Sequence, residues 1–299
     1  SADANEQKAG VAAFSATCRR VARAELAGPL LAAGLAKADA PRQAILVSAA
    51  PAIGGEAALA AATQQAQSAD ATVRNAAIRA LADWPDGAAL PALMAVVTQA
   101  KEEVPYVLAF RGVIRLLGVS NDPAPALLDR YAEVMKLARR ADERRLVVGG
   151  VGRTKDRAAL PVLRSYLKDA ELQAEAATAI IQIAKDVGGD DCVSALQETA
   201  AAVADEKLKQ RARETLGEVA KYAGCVITWE VSGPYMDNDK GLTELHTIAF
   251  LPETDPAKAA WRKVAGEADG RLDLSREFRG NNRCAYLRCQ VLAAADSAA

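Results

Sequence analysis

The stretch "WPDGAALPALMAVV", residues 84–97, decides the fold. Its Trp-Pro-Asp-Gly turn separates two apolar-periodic runs, so it reads as the end of one helix, a turn and the start of another. Pro91 falls in the first turn of the second helix, where a missing N–H costs nothing and the fixed φ suits the helix. The fold then depends on whether this hairpin stands alone or is one copy of a repeated unit.

Working outward, the pattern returns. "GGEAALAAA" at 54–62, "DGAALPALM" at 86–94, "DPAPALLDR" at 122–130, "DRAALPVLR" at 156–164 and "DDCVSALQE" at 190–198 share a turn residue, two or three small residues and a leucine. Leu59, Leu93, Leu127, Leu163 and Leu196 recur at spacings of 34, 34, 36 and 33. Each copy is preceded by a second run with apolar residues three and four apart: "QAILVSAAPAI", "RNAAIRALADW", "FRGVIRLLGVS", "RRLVVGGVGRT" and "EAATAIIQIAK". Pro125 and Pro161 take the place of Pro91 in their own copies. The unit is helix, short turn, helix, and a period in the thirties with two helices per unit predicts an α-solenoid. One hairpin cannot bury its own apolar faces, so neighbours must stack.

The pattern resembles HEAT repeats of the short, Ala-rich bacterial kind, most clearly in "ATVRNAAIRALADWPDGAALPALMAVV". The resemblance covers residues 40–222 and implies a mainly α, right-handed solenoid of about five to six HEAT-like helical pairs. Tetratricopeptide repeats share the length but want large aromatics at fixed places. Residues 7–38 read as a degenerate first pair or cap, broken at "AGPL", and "KLKQRARETLGEVAKYAG", 207–224, as a closing helix stopped by Gly224. The helical domain is expected to span 1–223.

Composition agrees. The chain is 51% hydrophobic but only 4% aromatic, so its core must rely on close helix-to-helix approach by small side chains. A net charge of -1 gives no bulk electrostatic argument for nucleic acid. No apolar stretch approaches the roughly 18 residues of a membrane span. The small, polar opening "SADANEQKAG" suits a mature N-terminus left after signal-peptide removal, and equally an excised piece; the expectation is a periplasmic or secreted protein.

After Gly224 the helix period vanishes. "CVITWEVSGPY" is β-branched and aromatic, and "RLDL" and "CAYLRCQVL" read as two further strands separated by loops. Residues 224–299 are expected to form a small β-rich module. Trp229, Gly233, Pro234, Tyr235, Trp261, Asp273, Leu274, Asn281, Asn282, Arg283, Ala285, Tyr286 and Arg288 resemble the opening of a galactose-binding-like β-sandwich. Such modules follow HEAT-like repeats in secreted bacterial proteins, near 3-keto-disaccharide hydrolase-type domains. The resemblance implies an incomplete module here, because about eight strands are needed for a jelly roll.

Five cysteines do not describe a disulfide framework. Cys18 and Cys192 read as small buried hydrophobes. Cys284 and Cys289 lie about 16 Å apart along an extended strand and point to opposite faces, beyond the roughly 7 Å between Cα atoms that a disulfide spans. Cys225 paired with one of them stays open.

Few residues suggest chemistry. "LVVGGVGRTKD", 146–156, invites a phosphate-loop reading, but its spacing fits neither GxGxxG nor GxxxxGK[ST], and its phase makes it a helix end. His246 is the sole histidine, which removes His-based metal clusters and most Ser-His and Cys-His schemes. "DNDKG", 237–241, lacks the bidentate Glu of a calcium loop. The paired carboxylates Glu102 and Glu103, and Asp190 and Asp191, suit helix starts. "ARRADERRL", 138–146, reads as a solvated, self-paired surface.

Arg74, Arg79, Arg111, Arg115, Arg144 and Arg145 recur on first helices, where stacking could align them into a partner-binding stripe. Trp229 and Trp261 could stack on sugar or fill the core of the β-module. No catalytic residue, metal ligand or cofactor is indicated. The expected function is a non-enzymatic protein-interaction scaffold that binds another protein along its surface. The alternative is a carbohydrate-associated protein whose tail binds sugar or supports a glycoside-processing enzyme. A bilin-lyase-like enzyme built on similar repeats ranks last, since no reactive cysteine is indicated.

Overall fold

The computed structural model describes residues 24–222, 228–237, 241–266 and 271–289. The chain divides into two compact units, Ser1–Thr154 and Lys155–Ala299. It is mainly helical, with a three-stranded antiparallel sheet in the C-terminal part of the second unit. Residues 7–23 of the expected cap lie outside the described residues.

The first unit contains α1 (Ala24–Lys37), α2 (Ala40–Ser48), α3 (Ala50–Ile53), α4 (Gly55–Gln65), α5 (Ala71–Ala82), α6 (Leu90–Gln99), α7 (Glu103–Val119), α8 (Ala124–Leu137) and α9 (Ala141–Gly152). The first helices of successive repeats lie side by side: α2 packs on α5, α5 on α7 and α7 on α9. Each second helix packs on the first helix that follows, α4 on α5, α6 on α7 and α8 on α9. This is the neighbour-to-neighbour burial that the period predicts. The second unit holds α10 (Leu160–Tyr166), α11 (Gln173–Val187), α12 (Asp190–Ala202) and α13 (Glu206–Val219), packed in the same manner, with α10 on α11, α11 on α12 and α12 on α13.

Aspartates start several of the helices. Asp70 accepts from the Thr72 and Val73 amides at 2.8 and 3.0 Å, and Asp205 does the same for Lys207 and Leu208 at 2.8 and 3.0 Å. Such a cap stabilises its helix by about 1 kcal/mol. "DGAALP", 86–91, and "DRAALP", 156–161, fold alike. Asp86 accepts from Ala88 at 2.9 Å and Asp156 from Ala158 at 2.8 Å. A single 3-10 turn follows each, Gly87–Ala89 or Arg157–Ala159, and the α-helix begins at the leucine before the proline.

The repeating leucines reach the core. Leu93, Leu163 and Leu196 are fully buried, Leu127 is 9% exposed and Leu59 is half-buried. Burying each leucine contributes roughly 1.5–3 kcal/mol. Aromatics are few, so backbones come close: a Cβ on Gly150 in α9 would lie 2.5 Å from the Tyr131 ring of α8. "LVVGGVGRTKD" is thus a helix end packed on a tyrosine, as its phase predicts.

The sheet has the order β2-β1-β3, from β1 (Thr228–Tyr235), β2 (Arg262–Ala265) and β3 (Cys284–Arg288), all neighbours antiparallel. Val231, fully buried at its centre, lies opposite Arg262 on one side and Leu287 on the other. "CVITWEVSGPY" and "CAYLRCQVL" supply strands as expected, but "RLDL" does not. Its Asp273 accepts from the Ser275 amide at 2.9 Å and caps the short helix α16 (Leu274–Glu277). The third strand instead comes from "RKVA", a segment the sequence reads as loop. Between β1 and β2 lie two more single-turn helices, α14 (Leu242–Leu245) and α15 (Leu251–Thr254). Cys284 and Cys289 are free; Cys225 lies outside the described residues.

Candidate interaction site

The charge run 138–146 is not merely a solvated surface. Glu143, in the first turn of α9, is 2% exposed. It accepts from the Tyr106 hydroxyl at 2.7 Å, from the Arg139 and Arg140 amides at 2.8 and 3.1 Å, and from Arg140 Nε at 3.0 Å. Burial pushes its carboxyl up, but these donors together hold it below the ordinary carboxylate range. Burial and the facing carboxylate push Tyr106 up to about 12. The Arg139 guanidinium stacks on the Tyr106 ring at 3.8 Å and donates to the Ala100 carbonyl at 2.9 Å. Every buried donor and acceptor here is used, so the cluster is a joint between repeats rather than a binding site. The arginine at the N-cap gives no capping-box signal in the sequence, and the tyrosine partner, 37 residues upstream, carries no local signature.

The predicted arginines divide by the same test. Arg74 donates to the Ser68 and Ala69 carbonyls and pairs with Glu102 at 2.8 Å. Arg115 donates to the Ala82 and Trp84 carbonyls at 2.9 and 2.8 Å, closing the C-terminal end of α5. In the second unit Arg157 does likewise for the Val187 and Gly188 carbonyls at the end of α11. Arg115 and Arg157 thus answer the negative ends of helices, whereas Arg74 holds the turn before its own helix. Arg79 and Arg111 are exposed and have no hydrogen-bond or ion-pair partner among the described residues. Arg144 and Arg145 lie in the first turn of α9 and both engage other groups.

Three concavities of the first unit bear on function. A cavity of about 300 Å³ between α6, α7 and α8 is walled by Leu90, Met94, Val113, Leu117 and Val134; Arg130 at its edge is already paired with Asp122 at 2.7 Å. A larger hollow of about 500 Å³ is neutralised by the Arg74–Glu102 pair on its wall. The third, a groove of about 340 Å³ between α7 and α9, is lined by Arg111, Ile114, Arg115, Gly118, Val119, Leu146 and Arg153. No carboxylate lines it. Val119 and Leu146 are 43% and 37% exposed, so cations and open aliphatic surface alternate along one face.

In the tail, the Arg288 guanidinium covers one face of the Trp261 ring at 4.0 Å, and the indole N–H donates to the Pro256 carbonyl at 3.2 Å. Trp229 is half-buried and its indole nitrogen is buried without a partner. One face of Trp261 is therefore taken by Arg288 of β3. His246 is exposed at the end of α14, and Asn238, Asp239 and Lys240 of "DNDKG" lie outside the described residues. Among the described residues no group of His, Cys, Asp and Glu is placed to hold a metal ion, and no helix is long and apolar enough to cross a membrane.

No protein-family profile matches the chain, and no curated protein matches it. Solved structures give distant matches. An engineered protein is 17% identical, with a TM-score of 0.39, over 65% of this chain and 96% of its own. A second engineered protein is 19% identical at a TM-score of 0.39, over 64% and 58%. Human deoxyhypusine hydroxylase in complex with glycerol is 15% identical at a TM-score of 0.30, over 66% and 97%.

Proposed function

We propose that this chain is a non-enzymatic scaffold of HEAT-like helical pairs that holds another protein along the exposed face of its first helices. The observation that supports it is the division among the arginines. Arg115 and Arg157 are committed to neighbouring helix ends and Arg74 to the turn before α5 and to Glu102, whereas Arg79 on α5 and Arg111 on α7 stand exposed and unengaged among the described residues. α5 and α7 pack side by side, so these two cations stand on adjacent helices. Stacked repeats present such surfaces to partners, and guanidiniums with free donor forks give orientation and partner selection.

The test places a photo-crosslinking amino acid at position 79, 111 or 136 of the full chain in its native cell. Lys136, exposed on α8, serves as the comparison. A discrete protein adduct from positions 79 and 111, absent from 136, is expected. Irradiation that yields no adduct at 79 or 111, or the same smear at all three, overturns the scaffold reading.

A further inference from the structure

We infer that the α7–α9 groove docks a short partner segment in which carboxylates alternate with aliphatic side chains; this rests on the scaffold reading and names the chemistry of its partner. Each helix contributes one stripe. On α7, Arg111, Ile114, Arg115 and Gly118 occupy positions i, i+3, i+4 and i+7 and share a face. On α9, Leu146 and Gly149 occupy the matching face, which Arg153 continues at the helix end. Arg153 reaches back to the Gly149 carbonyl at 3.4 Å, and its guanidinium lies 4.0 Å from where a Cβ on Gly118 would be. The groove therefore runs between two lines of side chains, basic at Arg111, Arg115 and Arg153 and aliphatic at Ile114, Val119 and Leu146.

The glycine at 149 is what folding alone does not explain. A mid-helix glycine weakens a helix relative to alanine, and its neighbour Gly150 is required by the Tyr131 ring. A Cβ on Gly149 would meet nothing within 4 Å. By helical spacing Gly149 lies on the side of α9 that carries Leu146 and Arg153, so a bulky side chain placed there would project beside the groove.

Charge complementarity selects the occupant. Arg111 and Arg153 offer their guanidiniums, Arg115 adds its charge while its donors hold the Ala82 and Trp84 carbonyls, and no carboxylate lines the wall, so the groove favours an anion. The exposed Val119 and Leu146 between them favour an anion whose neighbours are apolar, which describes an acidic aliphatic peptide and not a phosphate backbone. Nucleic acid would also want a longer basic track and aromatic rings for stacking, and no aromatic residue lines the groove.

The experiment measures fluorescence anisotropy of a labelled peptide of roughly a dozen residues alternating Glu and Leu, titrated with the full chain. A Lys-Leu peptide and a labelled oligo-dT of similar length serve as comparisons. Binding of the Glu-Leu peptide alone is expected, weakening several-fold as ionic strength rises from about 0.05 to about 0.5 M. The R111E/R153E double variant should lose at least about tenfold in affinity, since reversed charges turn attraction into repulsion. G149L should lose a similar factor while its thermal midpoint does not fall, a pairing that damage to the fold would not give. Absence of Glu-Leu binding, equal affinity for R111E/R153E, or binding of oligo-dT in its place each overturns the assignment. A specific adduct in the crosslinking test beside any of these results leaves the scaffold standing and places its partner elsewhere.

Discussion

The Tyr106 hydroxyl donates to Glu143 across 2.7 Å, joining the first turn of α7 to the first turn of α9. It also lies 2.9 Å from the Leu137 carbonyl at the end of α8, so one phenol ties three helices. Removing it with Y106F should cost about 1–2 kcal/mol, the range for losing a hydrogen bond to a charged group. Removing the carboxylate with E143A should cost more, about 3 kcal/mol, because the Arg139 and Arg140 amides and the Arg140 guanidinium lose their acceptor. Urea unfolding of both variants checks the order; a larger loss in Y106F than in E143A would contradict it.

The same pair sets the pH limits of stability. Glu143 has a lowered folded-state pKa, so its contribution is full above the ordinary Glu range and disappears as pH falls through the lowered value. Tyr106 is raised from 10.0 to about 12; its contribution is full below pH 10.0 and is lost as pH rises toward about 12. Stability measured against pH should fall at both ends. E143Q should flatten the acid limb and Y106F the alkaline one.

Neighbouring glycines should respond with opposite sign. At Gly150 a methyl group would meet the buried Tyr131 ring at 2.5 Å, so G150A should destabilise by about 1–3 kcal/mol through overpacking. At Gly149 a methyl group meets nothing within 4 Å, so G149A should stabilise by about 0.5–1 kcal/mol through helix propensity. Paired thermal melts decide between these signs.

Those glycines also mark how far the sequence could be read. The repeat was legible because turn residue, small residues and leucine recur in phase, and burial of Leu93, Leu163 and Leu196 enforces that phase. The prolines Pro91, Pro125 and Pro161 were legible because their place in a helix is limited by their own ring. Glu143 was not, since a carboxylate within "ARRADERRL" looks solvated until α7 brings Tyr106 to it. "RKVA" carries no local strand signal because its pairing with Val231 and its neighbours is non-local, and "RLDL" alternates like a strand although Asp273 is a helix cap by type. Of the arginine stripe, spacing gave the helices but not which guanidiniums are spent on carbonyls, and Arg153, one of the groove's three cations, was passed over as a helix end.

Cysteine reactivity should follow burial. Cys192 is fully buried in α12, and burial pushes its thiol up to about 11. Cys284 and Cys289 are half-buried in and after β3. Since the thiolate is the reactive form, iodoacetamide at about pH 8 should label Cys284 and Cys289 in the native protein and spare Cys192 until denaturant is added. Peptide mass spectrometry reads each site, and rapid native labelling of Cys192 would contradict its placement.

Arg111 and Arg115 stand one helical turn apart on α7, yet should behave differently. Arg115 holds the Ala82 and Trp84 carbonyls at 2.9 and 2.8 Å, so R115M should cost about 1–2 kcal/mol by leaving those acceptors to solvent and removing a cation from a helix C-terminus. Arg111 has no partner among the described residues, so R111M should change stability by less than about 0.5 kcal/mol, as for a surface site without special contacts. Denaturant midpoints of the two variants measure the contrast directly. Equal losses would mean that Arg111 is held by the fold and is not available to a partner, and the surface that the scaffold reading relies on would then be a structural seam.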